Sequence, residues 1–132
     1  MIVDTLLTLK QALEAPSRYL DSMPAKGIRD KATDALNIWF RVSATTATTI
    51  KQAVNLLHGA SLMVDDIEDS SQLRRGKPAT HTVFGTAQTI NASGYRVLSA
   101  LAEVRKLDSE SCIDIFCGAC RFALTSVFEN AS

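Results

Sequence analysis

Apolar residues recur every three or four positions through most of the chain, the spacing that places them on one face of an α-helix. The first such stretch carries Leu6, Leu9 and Leu13. It predicts a helix that stops at Pro16, because proline lacks the amide hydrogen that a helix interior needs. Proline and glycine then predict a turn over residues 23–27. The chain is therefore expected to begin as an amphipathic helix followed by a turn.

Two further helices are predicted up to residue 69. The second covers about 28–42. The third follows a threonine-rich stretch over 43–49, where the sequence does not define the first helical residue, since threonine hydroxyls compete for backbone hydrogen bonds. The apolar side of the second helix comprises Ala32, Ala35, Leu36 and Trp39. The candidates for burial on the third helix are Val54, Leu57, Met63 and Val64.

The second part of the chain follows the same pattern after one polar interruption. Polar residues, two glycines and a proline predict a loop over 70–85. A fourth helix is expected over 86–107, capped by the threonine at its start, and a fifth over about 109–128, capped by Asp108 or Ser109. No alternation typical of strands is found. The pattern predicts an all-α protein of about five helices.

Composition narrows the class without fixing a function. The chain has 132 residues, 46% of them hydrophobic and 21% charged, with a formal net charge of zero. These values suit one globular domain and predict no general attraction to nucleic acid. No apolar run reaches the roughly 18 residues of a membrane span. The three cysteines are late and clustered, which favours a reducing cytoplasm and ordinary helix positions over a disulfide framework, a redox pair or a zinc site.

Candidate chemistry is concentrated at the end of the third helix. Four acidic side chains fall within five residues: Asp65, Asp66, Glu68 and Asp69. Asp65 and Asp69 are one helical turn apart, where like charges repel, and the negative end of the helix dipole disfavours them further. Oxygen ligands at this spacing suit Mg²⁺, which keeps waters and shares substrate phosphates. A solvated acidic helix end is the alternative interpretation.

Basic residues follow the acidic cluster at short range. Arg74 and Arg75 precede a glycine and a lysine, and arginine forks match phosphate oxygens. Carboxylates that hold Mg²⁺ next to arginines that hold phosphate make a coherent diphosphate site. The alternative is that these bases only balance the neighbouring acids.

The order of these residues is more specific than their charges. The segment LLHGASLMVDDIEDSSQLRRGKPATHTVFG resembles the first aspartate-rich motif of the trans-prenyl diphosphate synthases, most closely the fungal-type geranylgeranyl diphosphate synthases. The resemblance is strongest over 18–104, while 106–132 diverges. It implies a single partial isoprenoid-synthase domain over 1–132. The implied fold is the N-terminal half of an antiparallel helix bundle.

The resemblance assigns roles to the motif residues. Asp65, Asp66 and Asp69 would be the catalytic carboxylates that grip the allylic diphosphate through Mg²⁺, with Asp65 and Asp69 as metal ligands. Arg74 would touch the same allylic diphosphate. Arg75 would instead bind the second substrate, isopentenyl diphosphate.

Three residues outside the motif complete the implied isopentenyl diphosphate site. Lys26 and Arg29 match the family's Lys-x-x-Arg element near a helix start, where free amides favour an anion, although the pair taken alone fits a solvated turn better. His58 lies two helical turns before Asp65, at the position of the family's His or Gln. A histidine with satisfied nitrogens in the core is the alternative.

The resemblance also implies a product. Ala60 and Ser61 occupy the positions at which bulky aromatic residues would stop chain growth at fifteen carbons. Their small size therefore implies elongation of farnesyl diphosphate with isopentenyl diphosphate to geranylgeranyl diphosphate or longer. Tight helix packing around small residues is an alternative that is compatible with this role.

One half of the family's catalytic apparatus is missing from these 132 residues. No second Asp-Asp-x-x-Asp follows Asp69, although the family clamps Mg²⁺ between two such motifs. A truncated and inactive remnant, or a subunit of a homodimer or heteromer, is therefore the alternative to an active prenyltransferase. A terpene cyclase fragment is disfavoured by the basic residues suited to isopentenyl diphosphate.

Overall fold

A computed structural model describes the backbone of residues 2–129 and the side chains of residues 7–125. The described backbone forms six helices and one two-stranded ribbon, which confirms the all-α class. The elements are α1 Ile2–Asp21, α2 Ile28–Phe40, α3 Ala44–Glu68, β1 Leu73–Arg74, β2 Lys77–Pro78, α4 Thr80–Phe84, α5 Thr86–Arg105 and α6 Glu110–Glu129. None of the helices in this part of the chain is both long enough and apolar enough to cross a membrane.

Helices α3 and α5 form the central pair of the fold. Their interface is more extensive than any other, and α1 and α6 pack on α5 while α2 packs on α3. Buried alanines line both central helices and let the two backbones approach closely: Ala53, Ala60, Ala92 and Ala100. Larger buried side chains complete two apolar clusters on either side of the pair: Leu20, Met23 and Met63 in one, and Val104 and Phe116 in the other.

The prediction that the first helix stops at Pro16 is wrong. Helix α1 continues through Pro16 to Asp21, and the Pro16 side chain is almost fully buried. The amide side chain of Gln88 on α5 donates a hydrogen bond of 3.1 Å to the Ala12 carbonyl oxygen. Leu9 is 61% exposed, Leu13 is partly buried, and the Leu6 side chain lies outside the described residues.

The apolar side of α2 is exposed in this structure. Helix α2 has no buried residue, and Trp39 is 84% exposed. Ala32, Ala35 and Leu36 are exposed as well. The reason is geometric: α2 lies on the outside of α3, and within the described part of the chain no other helix packs extensively on it. Helical spacing therefore identified the helix correctly but not its neighbours.

The segment predicted as a loop contains regular structure. Strands β1 and β2 pair antiparallel, with Arg74 opposite Lys77, and helix α4 follows directly. Arg75 and Gly76 form the two-residue connection, and both have positive φ, at 53° and 78°. Two-residue hairpin turns of type I′ require positive φ at both positions. A short hairpin therefore carries the two arginines of the motif.

The helix starts were predicted with mixed success. Ser43 caps α3, where its hydroxyl accepts a hydrogen bond of 3.1 Å from the Thr46 amide. Ser109 accepts from the Cys112 amide at the start of α6, as predicted. Thr86 is not a cap, because α5 already begins at this residue and Gly85 takes the capping position.

On α3, Met63 is fully buried, while Val54, Leu57 and Val64 are partly buried.

Candidate functional site

The acidic cluster at the end of α3 divides into exposed and buried carboxylates. Asp65 and Asp69 are exposed and lie one turn apart, with the Asp69 amide donating to the Asp65 carbonyl oxygen at 2.8 Å. Asp66 is 1% exposed and faces the hairpin. This division follows from the helix period, since Asp66 lies about 100° around the axis from Asp65. The structure therefore places two of the three predicted carboxylates in reach of solvent and the third inside.

Arg74 explains how Asp66 is buried. Its Nε donates to both carboxylate oxygens of Asp66, at 3.0 and 3.1 Å, and its Nη2 also donates to Oδ1. Hydrogen bonding to Asp66 raises the pKa of the Arg74 guanidinium. A buried carboxylate needs such a partner because an unpaired charge is costly to desolvate. In this structure Arg74 is thus bound to Asp66, whereas the motif resemblance assigned it to the allylic diphosphate.

Arg75 points the opposite way from Arg74. Its Nη1 donates a hydrogen bond of 2.9 Å to the Pro24 carbonyl oxygen in the turn between α1 and α2. Arg75 adopts a left-handed φ of 53°, which is costly for a residue with a side chain. The hairpin turn therefore directs one arginine towards the acidic cluster and the other towards the α1–α2 turn.

Tyr19 fixes the position of this hairpin, a role that the sequence analysis missed. Its hydroxyl donates to the Pro78 carbonyl oxygen at 2.9 Å, and its ring packs edge-on against Phe84 at 5.6 Å between centroids. The contact joins residues 59 positions apart, so no local pattern could indicate it. Through this contact α1 sets where β2 and the arginine-bearing turn lie.

The four residues predicted to bind isopentenyl diphosphate lie around two adjoining cavities. Arg29, His58 and Arg75 line a cavity of about 260 Å³ between α1, α2 and α3. Lys26, Arg29 and Arg75 line a second cavity of about 480 Å³ over the α1–α2 turn. Arg29 and Arg75 belong to both. Residues from three separate segments thus form one predominantly basic surface large enough for a diphosphate, with Asp21 and Asp30 as the acids in its wall.

Two features of this surface suit a bound anion. The Nε of Arg29 is buried and has no hydrogen-bond acceptor among the residues that the structure describes. Burial, followed by the charges of Arg29, Arg75 and Arg74, lowers the pKa of His58, and the opposing effect of Asp65 is smaller. A bound anion would supply an acceptor for Arg29 and would offset the repulsion among these cations.

A separate apolar cavity of about 240 Å³ lies between α3, α5 and α6. Ala60 and Ser61, the two predicted chain-length residues, lie in its wall, and Asp65 lies at its acidic margin. From the facing helix α6, Cys120 and Leu124 contribute to the wall. A prenyl chain is purely apolar, so a cavity that begins at the acidic cluster and continues between helices suits it.

The three cysteines are free thiols in the described part of the chain. Burial raises the pKa of Cys120, and the nearby Cys117 adds to the effect. A raised pKa disfavours the reactive thiolate. Cys120 therefore serves as a wall residue of the apolar cavity.

The residues present suit a hard divalent cation only in part. No group of three or more acidic, histidine or cysteine side chains within the described residues is arranged to hold a metal ion. Asp65 and Asp69 nevertheless offer exposed carboxylate oxygens on one turn. Mg²⁺ accepts such a partial protein shell and completes it with waters and phosphate oxygens. The donor set therefore fits Mg²⁺ in the presence of a diphosphate.

The helical architecture and the aspartate-rich end of α3 agree with the isoprenoid-synthase fold that the motif predicted. The chain belongs to the polyprenyl synthetase family, whose model matches residues 10–124. The match confirms the family that the motif predicted, and it continues into α6, beyond the part in which the motif resemblance is strongest.

Similar proteins of known activity are fungal terpene synthases. The chain is 57% identical over 102 residues to phomopsene synthase of Phomopsis amygdali, a stretch that covers 77% of this chain and 14% of that protein. It is 51% identical over 106 residues to a bifunctional type I diterpene synthase of Aspergillus flavipes, covering 80% and 14%. For a bifunctional sesterterpene synthase of Aspergillus aculeatus the values are 49% over 113 residues, 86% and 16%. The chain thus spans about one seventh of the length of these relatives.

Proposed function

We propose that this chain provides the isopentenyl diphosphate site and the first metal-binding carboxylates of a prenyl-chain elongating transferase. The carrying observation is that Lys26, Arg29, His58 and Arg75, from three segments of the chain, surround adjoining cavities. Chain-elongating prenyl transfer is the activity common to the polyprenyl synthetase family, which supports the proposal at a coarse level. Relatives called bifunctional terpene synthases are compatible with a prenyl-transfer segment inside a longer protein.

The two proposed diphosphates occupy opposite sides of the hairpin. Arg29, Arg75 and His58 would donate hydrogen bonds to isopentenyl diphosphate, and Lys26 would add charge from the turn. Asp65 and Asp69 would hold Mg²⁺ against the allylic diphosphate at the mouth of the apolar cavity. The metal supplies positive charge that stabilises the leaving diphosphate.

In this proposal Asp66 and Arg74 act as a pair. Arg74 compensates the buried carboxylate and limits the repulsion within the acidic cluster. Its remaining guanidinium surface would contact the allylic diphosphate, since 27% of the side chain is exposed. Asp66 would then contribute to catalysis by holding Arg74 beside Asp65 and Asp69.

The apolar cavity would accept the hydrocarbon part of the allylic substrate. Ala60 and Ser61 have small side chains and leave space on the α3 side of the cavity. We therefore propose farnesyl diphosphate as a substrate and geranylgeranyl diphosphate or a longer chain as the product. Helix α6 supplies the opposite wall through Leu124. Side-chain size at these positions would limit how far a growing chain extends.

The second candidate is a non-catalytic diphosphate-binding chain. It is favoured by the absence of a second Asp-Asp-x-x-Asp from these 132 residues. A single acidic helix end can bind metal next to a diphosphate. It lacks the second set of carboxylates that would hold metal ions on the other side of the departing diphosphate. We propose that turnover requires that second motif, supplied by further chain or by a partner subunit.

Binding and turnover separate the two candidates. Titration calorimetry of the purified chain with inorganic pyrophosphate is expected to show binding that strengthens when Mg²⁺ is added. The change Asp65→Ala should abolish only the Mg²⁺-dependent gain, while Asp114→Ala, an exposed acid on α6, should preserve it. Conversion of farnesyl and isopentenyl diphosphates by the chain would favour the first candidate, and binding without turnover would favour the second. Absence of any pyrophosphate binding would overturn both.

A further inference from the structure

We infer that Arg96 keeps the isopentenyl diphosphate cavity cationic by neutralising Asp21, a carboxylate in the cavity wall; this inference rests on the proposed function of that cavity. Asp21 lines the same cavity as Arg29, His58 and Arg75, and its side chain is 60% exposed. A free carboxylate at this place would repel a bound diphosphate. The Nη1 of Arg96 lies 2.8 Å from Asp21 Oδ2 and compensates this charge from behind the wall.

Arg96 is itself buried, which makes its position a specific feature of the fold. Its side chain is 5% exposed, and it projects from α5 between α1 and α3. Its other donors face backbone carbonyl oxygens at 3.3 to 3.5 Å, those of Leu56, Asn55 and Ser17. Apart from Asp21, all of these partners are neutral. The ion pair with Asp21 is therefore the only charge-compensating contact of Arg96 within the described residues.

Gly59 provides the space that lets the guanidinium reach this position. A Cβ atom at Gly59 would lie 2.4 Å from Nη2 of Arg96, far inside van der Waals contact. Gly59 also lines the cavity, next to His58 in sequence. The guanidinium thus packs flat against α3 directly behind the cavity floor.

A second acid in the wall is handled differently. Asp30 also lines the cavity, and its Oδ1 accepts a hydrogen bond of 2.8 Å from the Asn55 side chain. Asn55 orients Asp30 but adds no positive charge. Of the two residues that contact these acids, Arg96 is accordingly the one that adds positive charge behind the cavity wall.

A purely structural role for Arg96 is a weaker explanation. Only Arg96 of this ion pair is buried, and replacing a buried charged side chain by a well-packed apolar one is often neutral or favourable for stability, so packing alone does not call for arginine here. An exposed carboxylate such as Asp21 could also remain hydrated without a buried partner. The requirement for charge arises from the anion expected on the other side of Asp21.

Opposite charge changes in the same ion pair test the inference. Affinity for inorganic pyrophosphate is measured by titration calorimetry on the full 132-residue chain, at low ionic strength and with EDTA to exclude metal. Arg96→Met leaves Asp21 uncompensated and should weaken binding about three- to tenfold. Asp21→Asn removes the anion, leaves the Arg96 charge in place and should tighten binding by a similar factor. A structural role predicts that both variants weaken binding, because both lose the same contact.

Three controls make the result decisive. The double variant Asp21→Asn with Arg96→Met restores the charge balance and should bind as the parent does, and Arg96→Lys should lie close to the parent. Asp34→Asn breaks an ion pair with Lys51 outside the cavities and should leave affinity unchanged. Thermal unfolding shows whether each variant folds, and if Arg96→Met does not, Asp21→Asn decides alone. Equal weakening in both single variants, or no change in either, overturns the inference, whereas a parent chain that binds no pyrophosphate overturns the proposed function itself.

Discussion

The guanidinium of Arg74 closes over Asp66 so that both carboxylate oxygens accept hydrogen bonds from one side chain eight positions along the chain. The pair joins the end of α3 to strand β1 across an intervening turn. It explains how a helix can end in a run of acids despite their mutual repulsion and the unfavourable helix dipole. The same contact orients the hairpin that carries both arginines. Arg75 follows Arg74 directly and faces the other way, towards the Pro24 carbonyl oxygen.

Removing the charge of Asp66 should therefore destabilise the fold. Asp66→Asn removes the hydrogen-bonded counter-ion of the partly exposed Arg74, which costs about 1.5 to 3 kcal/mol of unfolding free energy. Urea unfolding followed by circular dichroism measures the loss. Asp69→Asn is the matched control, because Asp69 is exposed at the same helix end and should change stability by less than about 0.5 kcal/mol. Equal effects in the two variants would show that Arg74 does not stabilise Asp66.

Stability should fall when His58 is forced to take up a proton. Its pKa in the folded chain lies below the ordinary value of 6.5 because burial and three arginines oppose its charge. The unfolded chain therefore binds more protons as pH drops below 6.5, so this contribution to stability is complete above that pH and is lost below it. Unfolding free energies of the parent and His58→Gln are measured between pH 7.5 and 5.5. The parent should lose more stability than the variant, and parallel curves would contradict the prediction.

Pyrophosphate binding should respond to the same proton with the opposite sign. A bound anion stabilises the charged imidazole, so the affinity of the parent relative to His58→Gln should rise as pH falls below 6.5. Taking the ratio of the two affinities cancels the titration of pyrophosphate itself. The measurement is calorimetry in EDTA at a series of pH values. A constant ratio would place His58 away from the anion.

The space at Gly59 gives a prediction about packing. Gly59→Ala would put a methyl group 2.4 Å from Arg96 Nη2, so the buried guanidinium must move, and we expect a loss of about 2 to 3 kcal/mol. Gly94→Ala on α5 is the control: nothing lies within 4 Å of a Cβ there, and the helix should gain about 0.5 to 1 kcal/mol. Thermal and urea unfolding of both variants check the pair. Stabilisation by both alanines would mean that Arg96 yields at no cost.

The apolar cavity gives a prediction about prenyl chains. Ser61→Phe should fill part of the space between α3 and α6 and weaken binding of a non-hydrolysable farnesyl diphosphate analogue by about tenfold, while pyrophosphate affinity stays constant. Ser61→Ala keeps the cavity open and should resemble the parent. Calorimetry with both ligands separates the effects on the hydrocarbon part from those on the diphosphate part. Equal affinity for the analogue in parent and Phe variant would show that the chain binds elsewhere.

Local patterns predicted the elements of this fold better than the packing contacts between the elements. The five predicted helices are all present, because their apolar spacing and several caps are local properties of the chain. The exposure of Trp39 was not predictable, since spacing shows which face of α2 is apolar but not whether another helix covers it. The hairpin was missed because its turn uses Arg75 with positive φ, where glycine or asparagine is the usual signal.

The candidate site shows the same division. The acidic cluster and its arginines stand out in the sequence. The structure brings Arg29, His58 and Arg75 together around one cavity, while their binding roles remain predictions. The partnership between Asp66 and Arg74 could not be derived from spacing, because it depends on the hairpin. Asp21 and Arg96 are 75 residues apart, and only the packing of α1 on α5 joins them.

Pro16 has a consequence for how the first helix is aligned. Because proline carries no amide hydrogen, the carbonyl of Ala12, four residues earlier, is left vacant within α1 and is the acceptor that Gln88 uses. Such a free carbonyl occurs at one position of α1 only. If α1 moved along α5 by one helical turn, the hydrogen bond from Gln88 would be lost. The contact thereby favours one position of α1 along α5, and with it the positions of Tyr19 and Asp21, so a residue that normally interrupts helices here contributes to the register of the site.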